Sequence, residues 1–386
     1  MERSERVKKI PPYLFAEINR KIAEAKAKGI DVISLGIGDP DMPTPQPIVE
    51  ELNRAAHDPA THKYPDYEGM PAFREAVAAW YKRRHNVDLD YKKEVLALIG
   101  SKEGSLHLNL AFTNPGDYVL VPDPAYTTYK TGAIFADGIP YQMPLLAENN
   151  FLPDLSKIPH EIAKKASIIF ICYPNNPTGV VATDEFYKEL IDFAKDNDVI
   201  VCSDNPYSET TYDGYKAPSF LEYPGAMDVG IEFNSLSKPY NMTGWRIGMA
   251  VGNAELVGAI GITKNNTDSG VFTAVQYAGI KALSLPDEGI TQLNKIYQAR
   301  RDLVCDTLNQ IGLKVRKPKA TFYIWVPVPK GHTSASFAAM MLEKAAVVVT
   351  PGAAYGPSGE GYVRISIAVP DKRLQEAMER IKKAMK

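Results

Sequence analysis

Short apolar runs rich in β-branched and aromatic residues alternate with amphipathic helical patterns along much of the chain, and that alternation leaves few folds open. Residues 95–99, 118–121, 167–172 and 199–202 read as strands, and 71–84, 102–112 and 183–195 as helices between them. A strand that rejoins its sheet through a helix runs parallel to its neighbour and is covered on both faces, so it is apolar throughout instead of alternating. The expected fold class is α/β, with a mainly parallel central sheet and helices on both faces. Chemistry on such a sheet gathers in the loops beyond the strands' carboxyl ends. Punctuation agrees: Gly69 and Pro71 open one helix, Gly29 closes another after Lys28, and Thr183 is placed to cap a third ahead of Asp184 and Glu185.

After about residue 285 the pattern changes to a long polar helix over 287–311, scattered strands at 321–326, 347–350 and 361–367, and a basic C-terminal helix. This reads as a smaller α+β domain, drawn from both chain ends. The expected division is 1–47 for an N-terminal arm and part of the small domain, 48–285 for the large domain and 286–386 for the small C-terminal domain.

Composition narrows the function. Lys and Arg number 44 against 46 Asp and Glu, a net charge of −2, so no general attraction to nucleic acid or to a membrane surface is expected. The three cysteines, Cys172, Cys202 and Cys305, have no metal-ligand or disulfide spacing, and no metal is expected. No secretory or membrane-spanning stretch is read, which points to the cytoplasm.

The sequence NSLSKPYNMTGWRIGMAVGN, residues 234–253, carries the chemistry. Lys238 follows Ser235 and Ser237 and precedes a proline that disfavours a helix, with Arg246 a short way on. An amine held among hydroxyls and a guanidinium suits an anionic ligand with a carbonyl, which describes pyridoxal 5′-phosphate (PLP). Such a cofactor needs phosphate donors, and Ser235, Ser237 and Arg246 are joined by Ser101 and Lys102 at a strand-to-helix turn. Its ring nitrogen needs a carboxylate, and Asp204 ends the run VIVCSD. Its ring oxygen needs hydrogen-bond donors, and Asn176 and Tyr207 are candidates; Tyr126 could stack on the ring. An amino-acid substrate needs a cation, and Arg364 lies inside the apolar strand GYVRIS. Each has an ordinary alternative when taken alone: a plain turn for GSKEG and PNNPTG, a loop cap for Asp204, a core tyrosine for Tyr126, a structural ion pair for Arg364.

Together, SLSKPYNMTGWRIG, PNNPTG, Asp204, Tyr207 and Arg364 resemble the PLP-dependent class I/II aminotransferases of fold type I over nearly the whole chain. The resemblance implies that Lys238 carries the cofactor, Asp204 pairs with its ring nitrogen, Asn176 and Tyr207 contact its ring oxygen, and Tyr126 stacks on it. Ser101, Lys102, Ser235, Ser237 and Arg246 then surround the phosphate. Tyr64 in HKYPDYEG matches a tyrosine sent to the neighbouring subunit, which implies a homodimer with shared sites. Arg364 matches the arginine that takes the substrate α-carboxylate, with Gly38 beside it. Pro206, between Asp204 and Tyr207, stands where many members have a small or aliphatic residue.

Within that family LGIGDPDMPTP, GSKEG and DGYKAPSFLE are similar to the LL-diaminopimelate aminotransferases of lysine biosynthesis. The implied substrates are an amino acid and a 2-oxo acid, LL-2,6-diaminopimelate with 2-oxoglutarate. Tyr13, Lys102, Tyr67 and Glu68 are candidates for reading the donor's distal end. Alternatives are an aspartate or alanine aminotransferase, a PLP carbon-sulfur lyase and a non-catalytic PLP sensor. A nicotinamide enzyme is disfavoured, since Gly36 and Gly38 are followed by Asp41 where GxGxxG needs glycine, and neither GxSxG nor HExxH occurs.

Overall fold

The apolar runs lie in a seven-stranded sheet that positions most of the functional residues. The computed structural model describes residues 1–11 and 14–386. After a two-residue strand β1 (Ile33–Ser34), the sheet is built from β2 (Val95–Leu98), β3 (Tyr118–Asp123), β4 (Ile139–Pro144), β5 (Ala166–Ile171), β6 (Ile200–Asp204), β7 (Gly230–Ser235) and β8 (Gly248–Gly252). Their order is β2-β8-β7-β6-β5-β3-β4. The pairs β3/β4, β3/β5, β5/β6 and β6/β7 are parallel, while β8 is antiparallel to both β7 and β2. Because β8 runs back beside β7, no crossover helix is needed between them, and residues 236–247 form a short connection at the strands' edge.

Successive residues of the inner strands enter opposite cores. Ile168 and Phe170 join one apolar cluster, Ile169 and Ile171 the other, and all four are buried. The period of two explains why these runs are apolar at every position. Helices Pro71–His85, Asp184–Asn197 and Thr273–Ser284 cover one face. Helices Ser101–Phe112, Thr128–Phe135 and Ala254–Asn265 cover the other, and its cluster runs on into helices Glu288–Gln310 and Asp371–Ala384. Local signals behave as the sequence predicts. Thr183 accepts from the N–H of Phe186, Pro71 is the first residue of its helix, and Gly29, beyond helix Leu14–Ala27, takes φ +75°.

The C-terminal third contains β9 (Tyr323–Pro327), β10 (Val347–Val348), β11 (Thr350–Pro351) and β12 (Tyr362–Ser366), with β12 central between β11 and β9 in an antiparallel sheet. Here the structure departs from expectation. The single strand read over 347–350 is two, because β10 pairs in parallel with β1 while β11 pairs with β12. The strand read from 321 begins at Tyr323, since Thr321 has φ +67° and its hydroxyl accepts from the Tyr323 N–H. The N-terminal segment threads between the two groups: Leu35 donates to Val348 O and accepts from Ser366 N. Both chain ends therefore build this smaller α+β unit, and Gly36 is delivered to the centre of β12, beside Arg364.

Candidate active site

The carboxyl ends of β2, β3, β5, β6 and β7 surround a cavity of about 340 Å³. Ser101 opens the helix that follows β2, Tyr126 follows β3, Asn176 lies in the turn after β5, and Asp204 and Ser235 end β6 and β7. Ser237, Lys238 and Arg246 come from the β7–β8 connection, Gly38 from the N-terminal segment and Arg364 from β12. All of these line the cavity, as do Lys102 and Tyr207. Segments spread from residue 38 to residue 364 thus converge on one volume.

Lys238 Nζ donates to Gly38 O at 3.1 Å and lies 5.6 Å from the Phe322 ring centroid. Gly38 must be glycine for this approach, since a Cβ there would lie 1.9 Å from the Tyr323 hydroxyl. Burial pulls the Lys238 pKa down to about 8; the charge of Asp39 opposes the shift, and Arg364 and Arg246 add to it. A nucleophilic amine and a general base both need this tuning.

Asp204 accepts from the Tyr129 hydroxyl through Oδ2 at 2.5 Å, while its Oδ1 is buried with no hydrogen-bond partner. Burial lifts its pKa to about 6, against the Tyr129 hydrogen bond and with a further push from Glu232. A buried carboxylate with one oxygen unsatisfied is half a pair that a cationic N–H would complete. Tyr129 is itself held by stacking on Phe170, with centroids 4.9 Å apart and planes 12° from parallel.

Ser235 Oγ donates to Ser237 Oγ at 2.9 Å. Arg246, at φ +54°, donates to Thr243 O at 2.9 Å and Ile99 O at 3.3 Å. Gly100 has φ +76°, and a Cβ there would lie 2.2 Å from Arg246 Nη2, so both backbone and packing require glycine. The N-terminus of the next helix, Ser101–Phe112, opens on the same side. Opposite it Arg364 is fully buried, donating to Asn176 Oδ1 at 2.8 Å and Gly36 O at 2.7 Å, with its guanidinium 4.1 Å from the Tyr323 ring centroid and 4.9 Å from that of Tyr355. The Tyr207 and Tyr323 hydroxyls are 3.1 Å apart.

Three expected residues, Tyr64, Tyr67 and Glu68, do not line this cavity, and a fourth, Tyr13, lies outside the described residues. Tyr64 is 84 % exposed. Conversely, Asp39, Tyr129 and Tyr323 line it without having been singled out. Asp39 could have been suspected from its place next to Gly38, and Tyr129 from its position three residues after Tyr126, whereas Tyr323 has no comparable signal.

Residues 30–381 match the family described as aminotransferase class I and II. The chain belongs to the class I and II aminotransferases. This aminotransferase is 56 % identical over 385 residues to the LL-diaminopimelate aminotransferase of Moorella thermoacetica, covering 100 % of this chain and 99 % of that one. It is 58 % identical over 381 residues to the Aquifex aeolicus protein of the same name, covering 99 % and 98 %. Among solved structures, substrate-bound BacF of Bacillus subtilis matches with a TM-score of 0.95 at 38 % identity, covering 99 % of this chain and 98 % of that one. A mutant of Thermus thermophilus aspartate aminotransferase matches with a TM-score of 0.92 at 29 % identity, covering all of both chains.

The cofactor of this aminotransferase is PLP, and the cavity fits it. The unsatisfied Asp204 Oδ1 suits a protonated ring nitrogen, the helix start with Ser235, Ser237 and Arg246 suits a phosphate, and the depressed Lys238 amine suits a carbonyl. The amine gives a direct check. In cofactor-free protein, acetylation of Lys238 read by mass spectrometry should rise with pH to a plateau, with a midpoint near 8. Arg364→Met removes one cation that favours the neutral amine, so its midpoint should move upward. A wild-type midpoint above 10, as for an exposed lysine, would show that burial does not tune this group.

Proposed function

We propose that this aminotransferase moves the amino group of LL-2,6-diaminopimelate to 2-oxoglutarate, a step in lysine biosynthesis. The observation that carries the choice of donor is full-length identity of 56 % and 58 % to relatives named for that activity, against 29 % to the aspartate enzyme. The buried Arg364 supports an amino-acid carboxylate as ligand whichever donor is used.

Bound in the cavity, PLP supplies a carbonyl that takes up the amino group and a cationic ring that accepts the electron pair left when the α-proton departs. Ser101, Lys102, Ser235, Ser237 and Arg246 hold its phosphate. Asn176 and Tyr207 would donate to its ring oxygen, Tyr126 would pack on the ring, and Asp204 would keep the ring nitrogen protonated. Arg364 grips the substrate α-carboxylate with Gly38 alongside, which orients the α-hydrogen towards Lys238. Lys238, neutral above its pKa of about 8, accepts that proton at Nζ. The 2-oxo acid acceptor uses the same guanidinium when the transfer runs in reverse.

Tyr13, Lys102, Tyr67 and Glu68 are the candidates for the donor's distal end, and of these Lys102 lines the cavity. Tyr64 is assigned to the phosphate of a second copy, which makes the working enzyme a homodimer; its exposure outside its own chain's cavity supports this. The domain division remains 1–47, 48–285 and 286–386, and the cytoplasm is the proposed location. Among the described residues no helix is long and apolar enough to cross a membrane. A panel of donors assayed with 2-oxoglutarate, reading glutamate formed, tests the assignment. LL-diaminopimelate should give the highest kcat/KM; comparable or faster use of aspartate or alanine would overturn the choice of donor and leave the family intact.

A further inference from the structure

Lys264 has no exposed surface, yet it does not line the cavity. It sits in the last turn of helix Ala254–Asn265, where Nζ donates to both oxygens of Asp268 at 2.7 and 2.8 Å and lies 3.2 Å from Glu103 Oε1. His107 completes the group, its Nε2 3.9 Å from Glu103 and 4.0 Å from Asp268. Glu103, His107 and Asp268 bring ligand atoms within 4.8 Å of one another, a spacing that suits a metal, but the lysine ammonium already stands among the carboxylates. Burying such a group costs more than apolar packing would, so its placement calls for a reason beyond stability.

The reason lies in what Glu103 holds. It is the third residue of the helix that opens at the cavity, and its Oε1 accepts from the Ile99 N–H at 2.6 Å. Ile99 O in turn accepts from Arg246. Ile99, which leads into the turn before this helix, is therefore held at its N–H by Glu103 and at its C=O by Arg246. A carboxylate in the first turn favours the helix itself, but it repels a phosphate bound at the same end. Burial raises the Glu103 pKa, the Lys264 charge and the Ile99 N–H limit that rise, and Asp268 adds to it.

We propose that Lys264 is a positioning residue for the cofactor phosphate: it offsets the Glu103 charge and fixes that carboxylate on the Ile99 N–H, so that the helix start faces the phosphate. The assignment rests on reading the cavity as the PLP site. The same group reaches further, because Asp268 Oδ1 also accepts from the Gly270 N–H at 2.7 Å. Gly270, at φ +87°, has Asp66 O 2.9 Å and Tyr67 Cα 3.4 Å from the position of a Cβ, so the group is tied to the segment that bears Tyr64.

Cofactor-free protein titrated with PLP and, separately, with pyridoxal, which lacks the phosphate, tests this by absorbance. Lys264→Met should raise the Kd for PLP about tenfold, the scale of one charge at a helix terminus, and leave the Kd for pyridoxal unchanged. Adding Glu103→Gln removes the excess charge and should return the PLP value to within about threefold of wild type. If Lys264→Met does not fold, Lys264→Gln keeps a donor to both carboxylates and should give the same PLP-selective loss. Equal weakening of both ligands, or of neither, would overturn the proposal. Wild-type protein that bound neither would instead overturn the reading of the cavity.

Discussion

Lys238→Ala should abolish turnover, with kcat at most about 10⁻⁴ of wild type. A positioned general base alone contributes 10²–10⁴-fold, and in the proposed roles this lysine is also the nucleophile that captures the cofactor. Among the described residues that line the cavity, the other lysine, Lys102, does not occupy the same place. It comes from the helix start on the phosphate side, whereas Lys238 Nζ rests on Gly38 O in the N-terminal segment that Arg364 also touches. The measurement is kcat with the preferred donor at saturating PLP. Activity within about tenfold of wild type would show that another group moves the proton.

Asp204→Asn should move activity and stability in opposite directions. With cofactor bound, losing the charge beside the ring nitrogen should lower kcat by about 10²–10³-fold, the usual cost of removing one preorganised electrostatic contact. Without cofactor the same charge is a burden. Its folded pKa of about 6 lies above the ordinary carboxylate value, so folding favours the protonated form. That contribution is complete at low pH and is lost as pH rises through about 6, leaving an ionised carboxylate whose Oδ1 has no partner. A shift of this size corresponds to about 2–3 kcal/mol. Denaturant unfolding of cofactor-free protein at pH 8 should therefore find Asp204→Asn more stable than wild type by about 2 kcal/mol, with the difference fading at pH 4. An asparagine variant less stable at pH 8, or one with undiminished kcat, would remove Asp204 from the role assigned to it.

The sequence was most legible where chemistry and chain direction coincide. Asp204 ends an apolar run read as a strand, which places it at the sheet's carboxyl edge, whereas the strand before Ser235 and Lys238 carries Glu232 and Asn234 and was not read; those two stood out by their motif instead. Arg364 stood out because an arginine in an apolar strand needs a reason. What could not be read depends on contacts between distant segments. Tyr129 supports Asp204 across 75 residues, and its position in TYKTGAIF carries no motif. Tyr323 meets Tyr207 across 116 residues. The division of 347–350 into two strands follows from the arrival of Ile33–Ser34, more than 300 positions earlier, which the local sequence cannot announce. Strand β4 escaped notice for a different reason. It contains Pro140 and Pro144 and is tolerated because it lies at the sheet's edge, where a missing N–H costs no ladder bond.

Covalent capture of PLP by Lys238 can be read from the protein itself. The protein is incubated with PLP, reduced with borohydride, digested, and its peptides are sequenced by mass spectrometry. A stoichiometric phosphopyridoxyl group is expected on Lys238 and none on Lys102 or Lys264. A modification confined to another lysine, or no modification at all, would contradict capture by Lys238.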